Sequence, residues 1–304
     1  MKNFLQHTVC PILAAMIWGT AFSAQSICSR FLPAFAINAF RSIVAFVILF
    51  AACLVLKIKC GKKKEVILGS LVCGAALFLA SNAQQFGIGE TSAGKSGFIT
   101  ALYIVLVPVF SWIGFRKKVT PKVWIAVGIA VIGMYFLCVT GEFSIGIADL
   151  ALLFCALMFA VQIMGIDYYS VRVHPVVLSA GQFLVNGILS LLCSAIFETV
   201  SPADFTACIR KLLYVAVFSS CIAYTLQIVA QKGGNATVVT LLMSLESVFA
   251  LLGGAVILGE ILTGRELIGC ALMAAAIVLA QLPERKKENG NSVQEKQYES
   301  DPIL

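Results

Sequence analysis

Ten long apolar runs constrain this chain more than any other feature. A helix needs roughly 17 to 25 apolar residues to cross about 30 Å of hydrocarbon. Runs of that length occupy approximately residues 9–29, 34–56, 66–86, 96–115, 123–140, 147–169, 176–198, 212–231, 236–258 and 266–282. Only 12% of the residues are charged, whereas soluble domains have roughly 25%. The sequence therefore predicts an all-α integral membrane protein with ten transmembrane helices.

The segments between these runs are short, and the only long polar stretch follows residue 284. It is charged and lacks apolar periodicity, which predicts a disordered cytoplasmic tail at 285–304. No room remains for a soluble catalytic domain. With two histidines and no C-x-x-C pair, the chain also has little material for a metal site. We therefore predict no enzyme activity, no catalytic residue, no metal and no cofactor.

Lys and Arg are unevenly distributed among the connections. If the N-terminus is cytoplasmic, sixteen of them fall on the cytoplasmic side and five on the outer side. Because short cytoplasmic loops accumulate these residues, we expect a multi-pass protein of the plasma (cytoplasmic) membrane with both termini in the cytoplasm. The net charge of +7 then reflects topology, and no nucleic-acid partner is predicted.

Residues 89–97, GETSAGKSG, match the phosphate-binding pattern G-x-x-x-x-G-K-[ST]. That pattern binds phosphate when a buried strand leads into it within a soluble α/β domain. Here it lies between two apolar runs, on the predicted outer side, where no ATP is held. We interpret it as small residues at the start of the fourth span, near Ser96, and not as a nucleotide site.

Self-comparison indicates an internal repeat. Shifts of 139 to 143 residues align matches whose order is kept along the chain: Trp18 with Phe159, Arg41 with Gln182, Gln84 with Gln227, PVFSWIGF at 108–115 with SVFALLGG at 247–254, and Gly128 with Gly269. This predicts two homologous halves, at about 1–142 and 143–284. Each half has five spans, an odd number, so the second half must cross the membrane in the opposite sense. Inverted repeats can exchange conformations and open a central cavity to each side in turn.

Several segments carry a loose but specific combination of motifs. They include INAFRSIVAFVILF from residue 37, TSAGKSGFITALYIVLVPVFSWI from residue 91 and LLMSLESVFALLGGAVILGEILTGRELIGCAL from residue 241. Together they resemble the EamA-like members of the drug/metabolite transporter superfamily, over about residues 8–282. The resemblance implies a ten-helix bundle of two inverted five-helix repeats around a substrate cavity. It also implies transport of amino acids, other small metabolites or drugs, often outward.

The chain departs from this family in its ninth span. Members commonly have a Glu-Pro pair there, whereas Ser247 follows Glu246 in this sequence. The sequence therefore does not decide whether the ninth span is kinked at that point. Pro108, inside the fourth span, removes a backbone hydrogen bond and predicts a kink beside a cavity.

Two charged side chains, Arg41 and Glu246, lie well within predicted spans. Such residues cost at least about 2.5 to 3.5 kcal/mol on insertion scales, so they usually pair or line a wet cavity. Glu246 falls at the midplane, where it could bind a cation or amino group, carry a proton, or only tie helices together. Arg41 could clamp a substrate carboxylate or phosphate, or extend its side chain to the nearby outer surface.

The remaining candidates for binding a substrate or ion are uncharged and occur in both halves. They are the aromatic residues Trp18 and Phe159 and the polar residues Gln84, Tyr103, Gln182, Asn186, Tyr224 and Gln227. Each has a structural alternative. A polar side chain can join helices by a hydrogen bond worth about 0.6 to 2 kcal/mol, and an aromatic ring can simply pack.

The sequence favours a secondary transporter that exports small metabolites, such as amino acids, by alternating access. Drugs, nucleosides or sugar-type metabolites fit a lining of Gln, Asn, Tyr, one Arg and one Glu almost equally. A membrane-embedded enzyme would need clusters of acids, His or Lys, and a sensor would be expected to have longer soluble loops. Expected partners are a small-molecule substrate, protons and the lipid bilayer. Small residues on the fifth and tenth spans leave a homodimer open.

Overall fold

The computed structural model describes residues 2–90, 93–114, 116, 119–138, 146–258 and 263–282. Within these ranges ten apolar helical segments follow one another: α1 Leu5–Cys28, α2 Ala34–Val55, α3 Lys63–Glu90, α4 Ser96–Ile113, α5 Pro121–Leu137, α6 Ile147–Tyr169, α7 Pro175–Phe197, α8 Pro202–Gln231, α9 Ala236–Leu252 and α10 Gly264–Gln281. Eight of them are long and apolar enough to cross a membrane, and α5 and α9 are shorter. The protein has the all-α membrane fold that the ten apolar runs predict.

Three predictions fall partly or wholly outside the described residues. The boundary between the proposed halves, at 142/143, lies in one gap, and the proposed tail at 285–304 lies beyond the last described residue. In the phosphate-binding pattern, residues 91 and 92 and the side chains as far as Lys95 are also outside the description.

Several helices begin at local sequence signals. Proline occupies the first position of α7 and α8, after His174 and Ser201 respectively, where its missing N–H group costs nothing. α10 begins with a capping box, in which Thr263 accepts from the Glu266 N–H and the Glu266 carboxylate accepts from the Thr263 N–H. These caps satisfy helix-end donors without tertiary contacts.

The helices pack in a pattern that repeats between the first five and the last five. α2 lies against α7, and α5 lies against α10. α1 contacts α8 and α9, and in the same way α6 contacts α3 and α4. When each helix number is raised or lowered by five, the pairs α2–α7 and α5–α10 map onto themselves. The contacts of α1 with α8 and α9 map onto those of α6 with α3 and α4. The centre of the bundle is thus enclosed by both halves together.

Small residues let α5 and α10 approach closely within one chain. A methyl group placed on Gly269 would lie 2.8 Å from the Gly133 carbonyl oxygen, and one on Gly133 would lie 3.1 Å from that of Gly269. Gly128, in contrast, has nothing within 4 Å of the position of such a group. Gly133 and Gly269 therefore serve an intramolecular contact, as small residues often do between membrane helices.

The start of α2 is capped by a residue from the second half of the chain. Glu198, directly after α7, accepts hydrogen bonds from the backbone N–H groups of Phe35 and Ala36, at 2.9 and 2.8 Å. A carboxylate is favourable at this position because unpaired N–H groups give a helix start a partial positive charge. This contact holds the end of α7 against the beginning of α2.

Replacing Glu198 with Ala should destabilise the protein by about 1 to 2 kcal/mol, because two backbone donors of α2 lose their acceptor. The midpoint of thermal denaturation in detergent measures the effect. Lys211→Ala, which removes an exposed charge on α8, is the control and should leave the midpoint unchanged. A Glu198→Ala midpoint equal to that of the wild type would contradict the cap.

Candidate functional site

A cavity lies at the centre of the bundle, between α1, α2, α3, α4, α6, α8 and α9. The space between its side chains that no atom fills is about 460 Å³, including space continuous with the exterior. Eight of the ten candidate binding residues line it: Trp18, Arg41, Gln84, Tyr103, Phe159, Tyr224, Gln227 and Glu246. The lining also includes residues that were not candidates: Phe22, Gln25, Thr100, Ile163, Ser219 and Met243.

Aromatic residues form two walls of the cavity. Trp18 meets Tyr224 edge to face, with ring centres 5.0 Å apart, and Tyr103 meets Phe159 in the same way at 6.3 Å. The Trp18 indole N–H donates to the Ser219 carbonyl oxygen at 3.3 Å. Each pair joins a helix of the first half to a helix of the second, so the walls depend on how the two halves pack.

Arg41 is buried and points into the bundle. Its Nε donates to Ser220 Oγ at 2.8 Å and its Nη1 donates to Gln25 Oε1 at 2.7 Å. The side chain therefore does not extend to the outer surface, which was one of the two alternatives. Both of these partners are neutral, and so is the phenol of Tyr224, with which the guanidinium also interacts by a side-chain hydrogen bond. Arg41 thus brings a positive charge to the cavity.

Glu246 follows a break in α9. One helix ends at Met243 and the next begins at Glu246, with a tight turn in which the Leu245 N–H donates to the Leu242 carbonyl oxygen at 3.2 Å. Just before the break, Thr240 and Ser244 donate their hydroxyl groups to backbone carbonyls of the preceding turn, a contact that often bends helices. The ninth span is therefore interrupted where the sequence left a kink open, although Ser247 replaces the family's proline.

α4 is also interrupted beside the cavity, by one tighter turn at Leu102. One helix ends at Ala101 and the next begins at Tyr103, and the Leu102 N–H donates to the Ile99 carbonyl oxygen at 3.2 Å. The interruption precedes Pro108, and the helix continues through that residue. The shift of 139 residues that aligns PVFSWIGF with SVFALLGG places Pro108 on Ser247 and Tyr103 on Leu242, so the two interruptions lie close together in the repeat but are not at equivalent positions. In each span, the helix that follows the interruption begins with a side chain that lines the cavity: Tyr103 in α4 and Glu246 in α9.

The break in α9 lies against α1 at Gly19. A methyl group on Gly19 would lie 2.6 Å from the Glu246 carbonyl oxygen and 2.8 Å from the Ala250 nitrogen. Both are backbone atoms, so they cannot move aside as a flexible side chain could. Glycine is needed here because the two helix backbones approach closely.

α8 contains a nine-residue π-helix, Val215–Ala223. This segment supplies the Ser219 carbonyl oxygen to Trp18 and the Ser220 hydroxyl to Arg41. π-Helical segments are rare and often occur at functional sites. No local sequence signal predicted it.

The structure places the remaining two candidates outside the cavity lining. Gln182 is fully buried, and its Oε1 accepts from Gln162 Nε2 at 3.1 Å. Gln227, which lines the cavity, donates to Gln162 Oε1 at 3.5 Å. Gln182 is therefore linked to the cavity indirectly, through hydrogen bonds between Gln182 and Gln162 and between Gln162 and Gln227. Within the described part of the chain, its Nε2 has no hydrogen-bond partner.

Asn186 belongs to a buried hydrogen-bond network between α2, α3 and α7. Its Nδ2 donates to Ser42 Oγ at 3.0 Å, and its Oδ1 accepts from Ser190 Oγ at 3.1 Å. Ser190 in turn accepts from Asn82, which accepts from Asn38. These contacts match the structural alternative for a polar residue in a span, namely a hydrogen bond between helices.

Comparison with known proteins decides the family. A sequence profile of the EamA-like transporter family matches residues 9–139 and again 146–282. The chain belongs to the EamA-like transporter family. It is therefore a multi-pass membrane transporter, and the bundle just described is an EamA-like fold.

Individual relatives agree with this family. An uncharacterized transporter of Archaeoglobus fulgidus is 33% identical over 89% of this EamA-like chain and 84% of its own length. A chloroplastic WAT1-related protein of Arabidopsis thaliana is 26% identical over 93% of this chain and 70% of its own. A crystal structure of another protein shares the fold, with a TM-score of 0.77 and 19% identity, over 90% of this chain and 96% of that one.

Gly19→Ala should lower stability by about 1 to 3 kcal/mol, because the added methyl group forces α1 away from the break in α9. The midpoint of thermal denaturation in detergent is the measurement. Gly128→Ala is the matched control, since its methyl group meets nothing within 4 Å, and its midpoint should stay at or above that of the wild type. If the two variants had equal midpoints, the close approach at Gly19 would be wrong.

Proposed function

We propose that this transporter exports small zwitterionic metabolites, amino acids above all, by alternating access through the central cavity. One observation carries the proposal: Arg41 and Glu246, of opposite charge, line the same cavity, and the hydrogen bonds described for Arg41 go to neutral oxygen atoms. An amino acid carries a carboxylate for the guanidinium and an ammonium group for the carboxylate. Drugs, nucleosides and sugar-type metabolites generally lack this pair of charges.

The aromatic walls support a substrate with an apolar part. Trp18, Tyr224, Tyr103 and Phe159 surround the charged groups. Aromatic side chains bind apolar surface and contribute about 0.5 to 1.5 kcal/mol per ring pair beyond area burial. We therefore expect amino acids with larger apolar side chains to be preferred over glycine.

Alternating access is supported by the repeat and by the broken helices. The family profile matches each half of the chain separately, and α4 and α9 are both interrupted beside the cavity. Discontinuous helices at the interface of inverted repeats are where many secondary transporters bind their substrates. We propose that an exchange of conformation between residues 1–142 and 143–284 opens the cavity to each side in turn.

The Lys and Arg distribution supports an orientation with both termini in the cytoplasm of a plasma-membrane protein. We propose a proton gradient as the energy source, with Glu246 as the group that gains and loses the proton. A buried carboxyl that binds either a proton or an ammonium group couples the two by competition. The alternative from a different functional class is a membrane-embedded enzyme or a sensor.

Solute counterflow in proteoliposomes tests the proposal, because only a carrier exchanges labelled for unlabelled solute. Glu246→Gln should lower amino-acid counterflow by about tenfold or more, since it removes a charge-assisted hydrogen bond to the ammonium group. Glu65→Gln, which changes a half-buried carboxylate at the start of α3, far along the chain from the cavity residues of that helix, is the control and should transport like the wild type. Wild-type counterflow by Glu246→Gln would remove this residue from the mechanism.

Arg41→Gln tests the carboxylate contact separately. The change should raise the KM for an amino acid by about tenfold or more, while the KM for the corresponding amino-acid amide, which has no carboxylate, should change much less. The KM values are measured by uptake into proteoliposomes. An equal effect on both compounds would indicate that Arg41 only supports the cavity wall.

A further inference from the structure

A second hollow opens sideways at the end of the bundle where α1 ends and α2 begins. It lies between the start of α2, the last turns of α3 and the side of α6, and its empty volume is about 1140 Å³, including space continuous with the exterior. Its walls are mainly apolar. Leu79, Phe86 and Phe154 each expose 40% or more of their surface. Because such residues on membrane-spanning helices face hydrocarbon, the hollow opens toward the bilayer.

The polar margin of this hollow consists mainly of hydrogen-bond acceptors. Gln85 is 2% exposed, and its Oε1 has no hydrogen-bond partner among the described residues. Glu90 lies exposed at the end of α3, and Glu198 completes the margin. The last carbonyl groups of α3 add partial negative charge. A ligand at this margin must therefore supply N–H or O–H donors, and a positive charge is favoured.

Gln85 and Glu90 are arranged along one helix. They are five residues apart, which corresponds to about 7.5 Å along the axis at 1.5 Å per residue. Arg30, exposed in the turn directly after Ser29, supplies a positive charge at the same end of the bundle.

We propose that this hollow binds a phospholipid whose head group ends in a primary ammonium group. The acyl chains lie along the apolar wall, and the ammonium N–H groups donate to Gln85 and Glu90. A phosphate beside Arg30 completes the match to a zwitterionic head group. Phosphatidylcholine fits poorly, because its trimethylammonium group has no N–H to donate.

The lipid site is connected to the central cavity. Gln85 Nε2 donates to Ser29 Oγ at 2.6 Å and to the Gln25 carbonyl oxygen at 3.4 Å. The side chain of Gln25 in turn accepts from Arg41. A head group bound at Gln85 would therefore contact a residue that is hydrogen-bonded to Gln25, and Gln25 is the partner of Arg41. Lipid binding itself does not depend on which substrate the cavity takes.

Native mass spectrometry of the full chain tests the proposal, with phosphatidylethanolamine and phosphatidylcholine of identical acyl chains as probes. The wild type should bind phosphatidylethanolamine about tenfold more tightly, because only its head group donates hydrogen bonds to the carboxylate and amide oxygens. Glu90→Gln should reduce this preference several-fold. Glu65→Gln, which changes a half-buried carboxylate at the opposite end of α3, should keep it.

A second variant blocks the hollow without changing charge. Gly89 lines it, and a methyl group placed there would meet only Ser29 Cβ, at 3.8 Å. Gly89→Leu should therefore leave the denaturation midpoint in lipid-free detergent unchanged and weaken retention of phosphatidylethanolamine. Equal affinity of the wild type for the two lipids would overturn the proposal. So would a preference for phosphatidylethanolamine that survives in both Glu90→Gln and Gly89→Leu.

Discussion

The structure depends on one constraint: inside a bilayer, each backbone N–H and C=O group must find its partner within the protein. Continuous helices meet this requirement, and irregular backbone is tolerated only where protein or a wet cavity surrounds it. The breaks in α4 and α9 and the π-helix of α8 all lie at the central cavity. Three places where helical hydrogen bonding changes thus border the cavity, whereas the π-helical turn Leu5–Val9 at the start of α1 does not.

Charge in the bundle follows the same rule. The guanidinium of Arg41 is held by the neutral side chains of Gln25 and Ser220, so its charge is hydrogen-bonded by these described residues without being neutralised by them. Glu198 stabilises the start of the same helix from outside. Contacts with two residues of the second half, Glu198 after α7 and Ser220 in α8, therefore help to position α2. Since Gln25 also accepts from Gln85 at the edge of the lateral hollow, the substrate cavity and the proposed lipid site share part of their hydrogen-bond network.

Much of the candidate site could be predicted from the sequence, for reasons visible in particular residues. Arg41 and Glu246 stand out because charge inside an apolar run is costly and rare. Gln84, Gln227, Trp18 and Phe159 stand out because the repeat aligns them, and all four line the cavity. Gln182 and Asn186 were also candidates, and they lie behind it. A polar residue at the right depth can face the cavity or a neighbouring helix, and depth alone does not distinguish these directions.

The sequence by itself determined the ten helical segments, the repeat and the polar residues at mid-depth, because hydrophobic length and periodicity are properties of each segment alone. Tertiary structure decided which of those residues meet. Four features each require two or more helices in a specific packing. They are the close approach of Gly19 to α9, the π-helix beside Trp18, the hydrogen bond that Arg41 donates to Gln25, and the lateral hollow at Gln85. Helix packing follows from side-chain shape at many contacts together, so no single segment of the sequence encodes it.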